Sequence, residues 1–324
     1  MFEYSIIIRT TGKAGEKYKC LLKSIENLNQ KPKEVIVVLP NGYDLPDDKL
    51  GYETFCFCTK GMVRQRLYGI EKCKTKYALI TDDDISFDSD FIDKLSKPVL
   101  NLEYGCSAGP LLNFFPRKGF NTFIAMLMGN AVPTIFHKKR YVTLLNTTGY
   151  SYNRKLKFNE SRLYETQAAA WTCFFADIDK LRSIHLEDEI WLDKYGYASY
   201  DDTTMFYKLW INNIKSVIVS DALYKHLDAK TSTKNVNTGY SFGFNFIVFA
   251  NRFLYQEKIG IKKIWVKICV NYRAIMNILF YLYKLLRGKT SKNEIRDYIK
   301  GINDAKLWVK SEEYKGIHSV KYDI

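Results

Sequence analysis

Three consecutive aspartates, Asp82, Asp83 and Asp84, are the strongest chemical signal in the sequence. Neighbouring carboxylates repel one another at neutral pH, and folding by itself does not require them together. Mg²⁺ and Mn²⁺ prefer oxygen ligands, and Mg²⁺ is commonly held by one or two carboxylates together with substrate phosphates. In an extended segment alternate side chains share a face, so we expect Asp82 and Asp84 to point one way and Asp83 the other. The alternative interpretation is a solvated turn.

A second acidic pair, Asp201 and Asp202, precedes a helical pattern at 203–212. Aspartate is a preferred N-cap residue, and its charge suits the positive end of a helix. A carboxylate can also take the proton from a sugar hydroxyl as that oxygen becomes a nucleophile. Both roles can hold together, because capping by one aspartate leaves the other for chemistry.

Arg64, Arg66 and His226 are the remaining polar candidates. Arginine suits phosphates and carboxylates because its planar fork donates two parallel hydrogen bonds, and both arginines lie near the start of a predicted helix at 62–73. His226 follows a short predicted strand at 216–219. Each has a structural alternative, which is an exposed helix face for the arginines and a role without metal for the lone histidine.

Alternating strand and helix patterns must position these residues. The sequence predicts helices at 18–29 and 62–73, among buried strands at 5–8, 34–39, 54–58 and 77–80. This alternation is typical of β-α-β units and an α/β fold with a largely parallel sheet. Such sheets bind ligands beyond the carboxyl ends of their strands, and the aspartate cluster lies at such an end. Residues of about 114–165 lack clean periodicity, and we expect an irregular insert there that selects the acceptor.

Composition and absent motifs narrow the function classes. The 324 residues are 47% hydrophobic and 26% charged, which excludes a disordered chain. The net charge of +14 favours an anionic partner such as nucleic acid, a phosphorylated metabolite or a membrane surface. The sequence contains no phosphate loop, dinucleotide-binding glycine motif, zincin motif, nucleophile elbow or RNA-binding signature, so we expect no nucleic-acid partner. The seven scattered cysteines predict reduced thiols and a cytoplasmic location.

The last 84 residues form a basic helical tail in this interpretation. Residues 241–324 carry 16 Lys/Arg and 7 Asp/Glu, so most of the excess positive charge lies there. Nine apolar residues fall in one uncharged arc of a helical wheel: Ile264, Trp265, Ile268, Tyr272, Ile275, Leu279, Leu282, Tyr283 and Leu286. This face suits either peripheral binding to the cytoplasmic face of a membrane or packing on a catalytic domain at 1–240. No signal peptide or transmembrane helix is predicted.

Taken in order, these segments resemble the family-2 glycosyltransferases, which have the GT-A fold. The resemblance covers residues 3–230 and depends on segments 5–9, 34–39 and 77–84, on Gly61, Gln65, Arg66, Gly69 and Ile70, and on Asp201, Asp202 and His226. It implies a mainly parallel sheet flanked by helices, followed by the C-terminal helical extension.

The resemblance also implies a role for each candidate residue. Asp84 would reach a divalent cation, Mn²⁺ or Mg²⁺, on the donor's diphosphate, and His226 would complete that site. Asp202 would be the base that activates the acceptor, with Asp201 where glutamate is common. The nucleotide-sugar, with a UDP-sugar as the expected donor, would lie against Thr10, Thr11, Asn41, Arg66, Asp82 and Asp83.

Three positions depart from the family pattern. The family often has an aspartate after the second strand, where this chain has Asn41, and Asn41 or Asp44 could substitute. Leu67 replaces the usual asparagine after the arginine. Ala168-Ala169-Ala170-Trp171 replaces a glycine-rich segment, and Trp171 either stacks on an acceptor sugar or belongs to the core.

The predicted function is metal-dependent, inverting transfer of a sugar to a hydroxyl of a glycan or lipid-linked acceptor in surface polysaccharide biosynthesis. A sugar nucleotidyltransferase is the first alternative, although the loop Arg9-Thr10-Thr11-Gly12-Lys13 is a poor match to the glycine-rich loop such enzymes need. The second alternative is a non-enzymatic protein that binds an anionic polymer or a membrane surface. That alternative leaves the aspartate cluster unexplained.

Overall fold

The structure is a computed structural model that describes residues 2–111, 115–134, 139–228, 237–256 and 258–321. Its strands are β1 Tyr4–Arg9, β2 Glu34–Pro40, β3 Thr54–Cys58, β4 Tyr77–Asp82, β5 Ile85–Phe87, β6 Cys106–Ala108, β7 Ala131–Pro133, β8 Val142–Leu144, β9 Tyr150–Tyr152, β10 Leu163–Thr166, β11 Cys173–Asp177, β12 Ser216–Val219 and β13 Tyr224–His226. Its α-helices are α1 Glu16–Glu26, α2 Met62–Lys72, α3 Phe91–Asn101, α4 Phe120–Leu127, α5 Ile178–Ser183, α6 Asp201–Ile211, α7 Thr238–Phe249, α8 Gly260–Leu286, α9 Lys292–Trp308 and α10 Glu312–Lys315. A 3-10 helix spans Leu186–Asp193, and a π-helix spans Ala250–Tyr255.

Eight strands form the central sheet, in the order β10-β12-β6-β11-β4-β1-β2-β3. The β4-β1-β2-β3 half is wholly parallel, and β6 and β12 are also parallel to each other. Strand β11 is antiparallel to both neighbours, and β10 is antiparallel to β12. The predicted α/β fold with a mainly parallel sheet flanked by helices is therefore confirmed. Because β1, β2 and β4 run in one direction, their carboxyl ends meet at one edge of the sheet.

Alternation along β1 divides the core into two layers. Ile6 and Ile8 belong to a cluster with the apolar sides of α1 and α3, whereas Ile7 belongs to a cluster with α2, α6 and α7. All three isoleucines are fully buried. Each such side chain stabilises the fold by about 1.5–3 kcal/mol relative to exposure, so both faces of the sheet are held strongly.

The segment expected to be an irregular insert is instead ordered where the structure describes it. It contains α4, a three-stranded sheet in the order β7-β9-β8, and β10, which joins the edge of the central sheet. Phe115 stacks on Tyr152 with ring centroids 4.4 Å apart, and Tyr141 lies 5.1 Å from Phe115. Three of these strands have only three residues, too few for a period-two pattern to be read from sequence.

The C-terminal helices pack on the rest of the molecule. Residue 240, the last residue of the predicted catalytic domain, lies inside α7. This helix is mostly buried and contributes to the same core as Trp171 and Phe174. Helices α7 and α9 approach closely, since a Cβ on Gly243 would lie 2.2 Å from the Tyr298 carbonyl oxygen. In the ranges that the structure covers, no helix combines the length and the apolar character needed to cross a membrane.

A buried charge cluster ties the tail to the α/β domain. Glu189, in the 3-10 helix, accepts hydrogen bonds from Lys208 on α6 at 2.8 Å and from Arg252 in the π-helix at 2.7 Å. Trp191 Nε1 donates to the same carboxylate at 2.7 Å. Burial opposes ionisation, but Lys208 and Arg252 outweigh it and hold the pKa of Glu189 below its usual range.

Replacing Glu189 tests whether this charge cluster stabilises the fold. Glu189→Ala leaves two buried cations without their carboxylate, and we expect the free energy of unfolding to fall by about 3–5 kcal/mol. Urea unfolding followed by circular dichroism measures the loss. Glu187→Ala removes an exposed carboxylate in the same helix and should change stability by less than about 0.5 kcal/mol. Equal effects of the two substitutions would contradict a structural role for the cluster.

Candidate active site

Asp82, the last residue of β4, is held between two arginines at the carboxyl edge of the sheet. Arg9 is its partner in the β1–β4 register, and Arg9 Nε lies 2.9 Å from Asp82 Oδ1. Arg66 Nη2, from α2, lies 2.8 Å from Oδ1 and 3.1 Å from Oδ2. Arg66 Nη1 also donates to Asp201 Oδ2 at 3.0 Å, so one guanidinium joins both acidic segments.

This arrangement gives Asp82 and Arg66 structural roles. Burial would raise the pKa of Asp82, but Arg66 and Arg9 outweigh it and hold the pKa below its usual range. Arg66 is 1% exposed, and both of its Nη atoms donate to carboxylates, so its guanidinium links the two acidic segments. Its buried Nε has no partner among the described residues, and a contact of Arg66 with the donor stays a prediction. The side chain reaches this position because Gly69 lets α2 approach the sheet, where a Cβ would lie 2.3 Å from Ile7 Cγ2.

The loop after β1 is fixed by side chains at both ends. Gln65 Nε2 donates to the carbonyl oxygens of Thr10 at 2.8 Å and Val38 at 2.9 Å. Thr10 Oγ1 accepts from the Gly12 N–H at 2.9 Å and donates to Asp83 Oδ2 at 2.5 Å. The hydroxyl of Thr11 is buried and has no hydrogen-bond partner among the described residues, which leaves a polar atom for a ligand.

Asp83 and Asp84 lie in a turn between β4 and β5. The expectation that Asp82 and Asp84 share one face of an extended strand is therefore wrong, because the strand ends at Asp82. The three carboxylates instead meet three different partners, with Thr10 bonded to Asp83 and His226 beside Asp84. Burial is the main reason that the pKa of Asp83 is raised to about 6.

Asp84 and His226 are brought together by a short antiparallel pair of strands. Strand β13 pairs with β5, and the Leu227 N–H donates to the Asp84 carbonyl oxygen at 2.8 Å. His226 Nε2 then lies 3.2 Å from Asp84 Oδ1. The hydrogen bond that His226 donates to the Asp84 carboxylate raises the pKa of His226. The two predicted metal ligands, which are distant in sequence, are therefore adjacent in the structure.

The pair fits two neighbouring positions of an octahedral divalent cation. Ligands about 2.1 Å from a metal and at right angles lie about 3.0 Å apart, close to the observed 3.2 Å. Within the described ranges, no group of three His, Cys, Asp or Glu side chains is arranged to hold a metal. Mg²⁺ in phosphate-binding sites is commonly held by one or two carboxylates with phosphate and water as the other ligands, and Asp84 would be such a carboxylate.

Asp201 and Asp202 begin α6, and the structure separates their roles. The N-cap is Tyr200, with φ 74°, so neither aspartate caps the helix as predicted. Asp201 turns inward to Arg66, while Asp202 Oδ1 accepts the Trp171 N–H at 2.5 Å. Burial and the charge of Asp201 raise the pKa of Asp202 to about 8, despite that hydrogen bond. Asp202 is thus a basic carboxylate, and its side chain is only partly buried.

Trp171 belongs to the core, so the interpretation as an acceptor-stacking ring is wrong. Its side chain is 1% exposed. It stacks on Phe174 with centroids 4.2 Å apart and meets Phe206 edge-on at 5.4 Å. An acceptor sugar has no access to either face. The Trp171 backbone N–H contacts the site by donating to Asp202.

Asn41 lies at the same edge of the sheet, directly after β2. Its N–H donates to the Cys58 carbonyl oxygen at 2.8 Å, and its side chain is exposed. Asp44 is also exposed and passes close to the loop after β1, since a Cβ on Gly12 would meet the Asp44 carbonyl oxygen at 2.4 Å. Contact of either residue with a nucleotide base stays a prediction.

Two functional residues escaped sequence reasoning. Arg9 sits at the end of a predicted strand, but its pairing with Asp82 needs the sheet order. Asp193 accepts the N–H groups of Met62 and Arg64 at 2.8 and 2.9 Å and so caps α2 from another segment. No local pattern marks Asp193, because the helix that it caps begins 131 residues earlier.

Comparisons with known proteins rest on structure alone. No protein-family model and no curated protein sequence matches the chain. Among solved structures it resembles S. aureus TarS 1–349 in complex with UDP-GlcNAc, with a TM-score of 0.52 and 11% identity over 94% of this chain and 80% of that one. It also matches the Pyrobaculum calidifontis mannosyltransferase PcManGT with GDP-Man and Mn²⁺, with TM-score 0.49 and 10% identity over 97% and 82%. It matches GalNAc-T7 with UDP, GalNAc and Mn²⁺ with a TM-score of 0.48 and 13% identity over 86% of this chain. The match spans 55% of the GalNAc-T7 chain, just over half of its length.

The chain has the GT-A glycosyltransferase fold. The likeness to TarS carries this conclusion, together with the order of strands in the central sheet. At 11% identity the likeness shows the fold and leaves the chemistry to be argued from this chain's own residues. Membership of family 2 stays a prediction, since no family model matches.

Proposed function

We propose that this protein is a metal-dependent, inverting glycosyltransferase that moves a sugar from a nucleotide-diphosphate donor to a hydroxyl of a glycan or lipid-linked acceptor in surface polysaccharide biosynthesis. The observation that carries the proposal is the meeting, at one edge of a GT-A sheet, of an Asp84–His226 pair at 3.2 Å and a basic Asp202. The neighbour TarS was solved in complex with UDP-GlcNAc, which supports a nucleotide-linked donor.

The donor side is built from the loop after β1 and the turn after β4. Thr10 donates to Asp83, Thr11 has a buried hydroxyl without a partner among the described residues, and Asp44 passes against Gly12 of the same loop. Asn41, exposed after β2, or Asp44 would contact the base. Asp84 and His226 would hold the cation. A bound divalent cation would neutralise the charge that develops on the leaving diphosphate.

Asp202 does the proton chemistry in this proposal. The acceptor oxygen attacks the anomeric carbon from the face opposite the diphosphate, and the bond from that carbon to the diphosphate oxygen breaks. The hydroxyl proton passes to the Asp202 carboxylate, and the single displacement inverts the anomeric carbon. The Trp171 N–H fixes the orientation of the Asp202 carboxylate. The raised pKa of Asp202 makes the carboxylate a better proton acceptor.

Donor binding is tested by thermal unfolding with UDP-, GDP- and dTDP-sugars, each with Mn²⁺, Mg²⁺ or EDTA. We expect one nucleotide class, with UDP-sugars favoured, to raise Tm only with metal, because a ligand that binds only the folded state stabilises it by about 2.7 kcal/mol at 100 times Kd. Asp84→Ala should abolish the rise. Asp88→Ala removes an exposed carboxylate nearby and should keep it. No shift with any nucleotide would favour the anionic-polymer alternative.

The base assignment predicts a pH profile. The Asp202 carboxylate must be ionised to accept a proton, and its pKa is about 8. Transfer should therefore rise about tenfold per pH unit from pH 6 towards 8 and then level off. Initial rates with the donor identified by thermal unfolding measure this profile.

Two variants complete that test. Asp202→Asn should lower the rate at least about 100-fold while keeping the donor-induced rise in Tm. Asp179→Asn, an exposed position in α5, should behave as the unmodified protein. Near-normal turnover in Asp202→Asn, or a rate that is flat with pH, would mean that another group is the base.

A second part of the proposal is binding to the surface of an anionic membrane. The apolar arc of α8 is exposed, with Trp265 57% and Ile268 53% exposed, and α8 contains lysines and an arginine but no acidic residue. Helix α4 extends this surface, with Phe120 72% and Phe123 59% exposed. The Tyr272 hydroxyl donates to the Leu127 carbonyl oxygen and joins the two helices. An apolar face with basic flanks is complementary to anionic headgroups.

Liposome flotation tests the membrane surface. The protein should float with vesicles containing anionic lipid, and a Trp265→Asp, Ile268→Asp double variant should remain at the bottom because it places charge in the apolar face. Leu102→Asp, at an equally exposed site at the end of α3, should float normally. No flotation of the unmodified protein with anionic vesicles would contradict this part.

A further inference from the structure

A cavity of about 300 Å³ lies between the end of α4, the start of α7 and the middle of α8. Aromatic rings form much of its wall, among them Phe242 and Tyr281. Two cationic side chains, Arg273 and Lys284, line it, and none of the described lining residues is acidic. A cavity with this lining favours a ligand that carries negative charge.

Arg273 is a buried cation without a counter-ion. It is 4% exposed, and along the described ranges no acidic oxygen lies within 4.0 Å of it. Its Nη1 donates to the Met128 carbonyl oxygen at 3.1 Å and its Nη2 to Asn130 Oδ1 at 2.6 Å, while Nε has no partner. Guanidinium has five N–H donors, so the two protein acceptors leave most of them unused.

Burial without a counter-ion lowers the pKa of Arg273, and only tyrosines oppose this effect. An isolated buried charge is costly, and an incoming anion would remove that cost. A purely structural role for Arg273, capping the Met128 carbonyl at the end of α4, explains one of its hydrogen bonds. That role leaves the adjoining cavity and the unpaired Nε without an explanation. Lys284 adds a second positive charge, with Nζ 5.1 Å from the Phe280 ring centroid.

The cavity adjoins the segment that bears the proposed base. Tyr197 lines it, and Phe242 stacks on Tyr200 with centroids 5.6 Å apart. Tyr200 directly precedes Asp201 and Asp202. The backbone carbonyl oxygen of Asn130, at the cavity, accepts a hydrogen bond from the Tyr150 N–H at 2.9 Å. The cavity therefore lies beside the chain segment that carries Asp202.

We propose that Arg273 and Lys284 bind an anionic oxygen group, a phosphate or a carboxylate, on the acceptor. The assignment of the anionic group to the acceptor rests on the proposed function, whereas the anion site itself is independent of it. The planar fork of Arg273 suits the two oxygens of either group, and the aromatic walls suit the apolar faces of a sugar. With this site, the protein would select charged acceptors over neutral ones.

Isothermal titration calorimetry of the full chain in EDTA tests the site with three probes: inorganic phosphate, glucuronate and glucose. Phosphate or glucuronate should bind, glucose should not, and the preferred anion identifies which oxygen group the site takes. Arg273→Gln should weaken anion binding at least tenfold. Lys306→Gln, which removes an exposed charge on α9 outside the cavity, should leave it unchanged.

Two further variants keep the test decisive. Lys284→Gln lies at the rim and should weaken binding several-fold even if Arg273→Gln fails to fold. Asp84→Ala should bind the anion normally, since its site is elsewhere. Unchanged affinity in the Arg273 and Lys284 variants, or no anion binding by the unmodified protein, would overturn the proposal. Anion binding that persists when no nucleotide binds would instead refute the proposed transferase and leave the anion site standing.

Discussion

The buried carboxylate of Asp82, held by two guanidinium groups, is the interaction on which the site depends. An ionised carboxylate cannot be buried without compensation, and here the compensation comes from β1 through Arg9 and from α2 through Arg66. Arg66 extends the cluster to Asp201 on α6. Four elements are therefore placed by one set of charges. Asp202 takes its position from this cluster, because it follows Asp201 in the chain.

Charge balance separates the acidic residues into two groups. Asp82 and Asp201 face two arginines, so this part of the cluster is neutral and structural. Asp83, Asp84 and Asp202 lie outside the arginine pairs, and the proposed function assigns them to the donor, the cation and the acceptor. The division also explains why five aspartates can lie near one another, since the two arginines offset the charges of Asp82 and Asp201.

Local patterns predicted much of the fold but only part of the site. Runs of buried β-branched residues marked β1, β2 and β4, and the resemblance brought Asp84 and His226 to one place. The arginine pairs join residues 73 and 135 positions apart, and no local period encodes such contacts. Trp171 was ambiguous for another reason. An aromatic residue before a strand suits both a core and a sugar platform, and the packing of Phe174 and Phe206 decides it.

Helix α8 connects the remaining parts of the proposal. Its 27 residues span about 40 Å, and its 3.6-residue period places Trp265 and Ile268 on the exposed side and Arg273 and Asn277 on the buried side. Tyr272 and its neighbour Arg273 both bond to carbonyls at the end of α4. The apolar surface and the cationic cavity are therefore fixed to each other through the same turn of helix. A membrane-bound acceptor would meet its charged group and its reacting hydroxyl at set distances from the lipid, which makes the depth of binding part of acceptor selection.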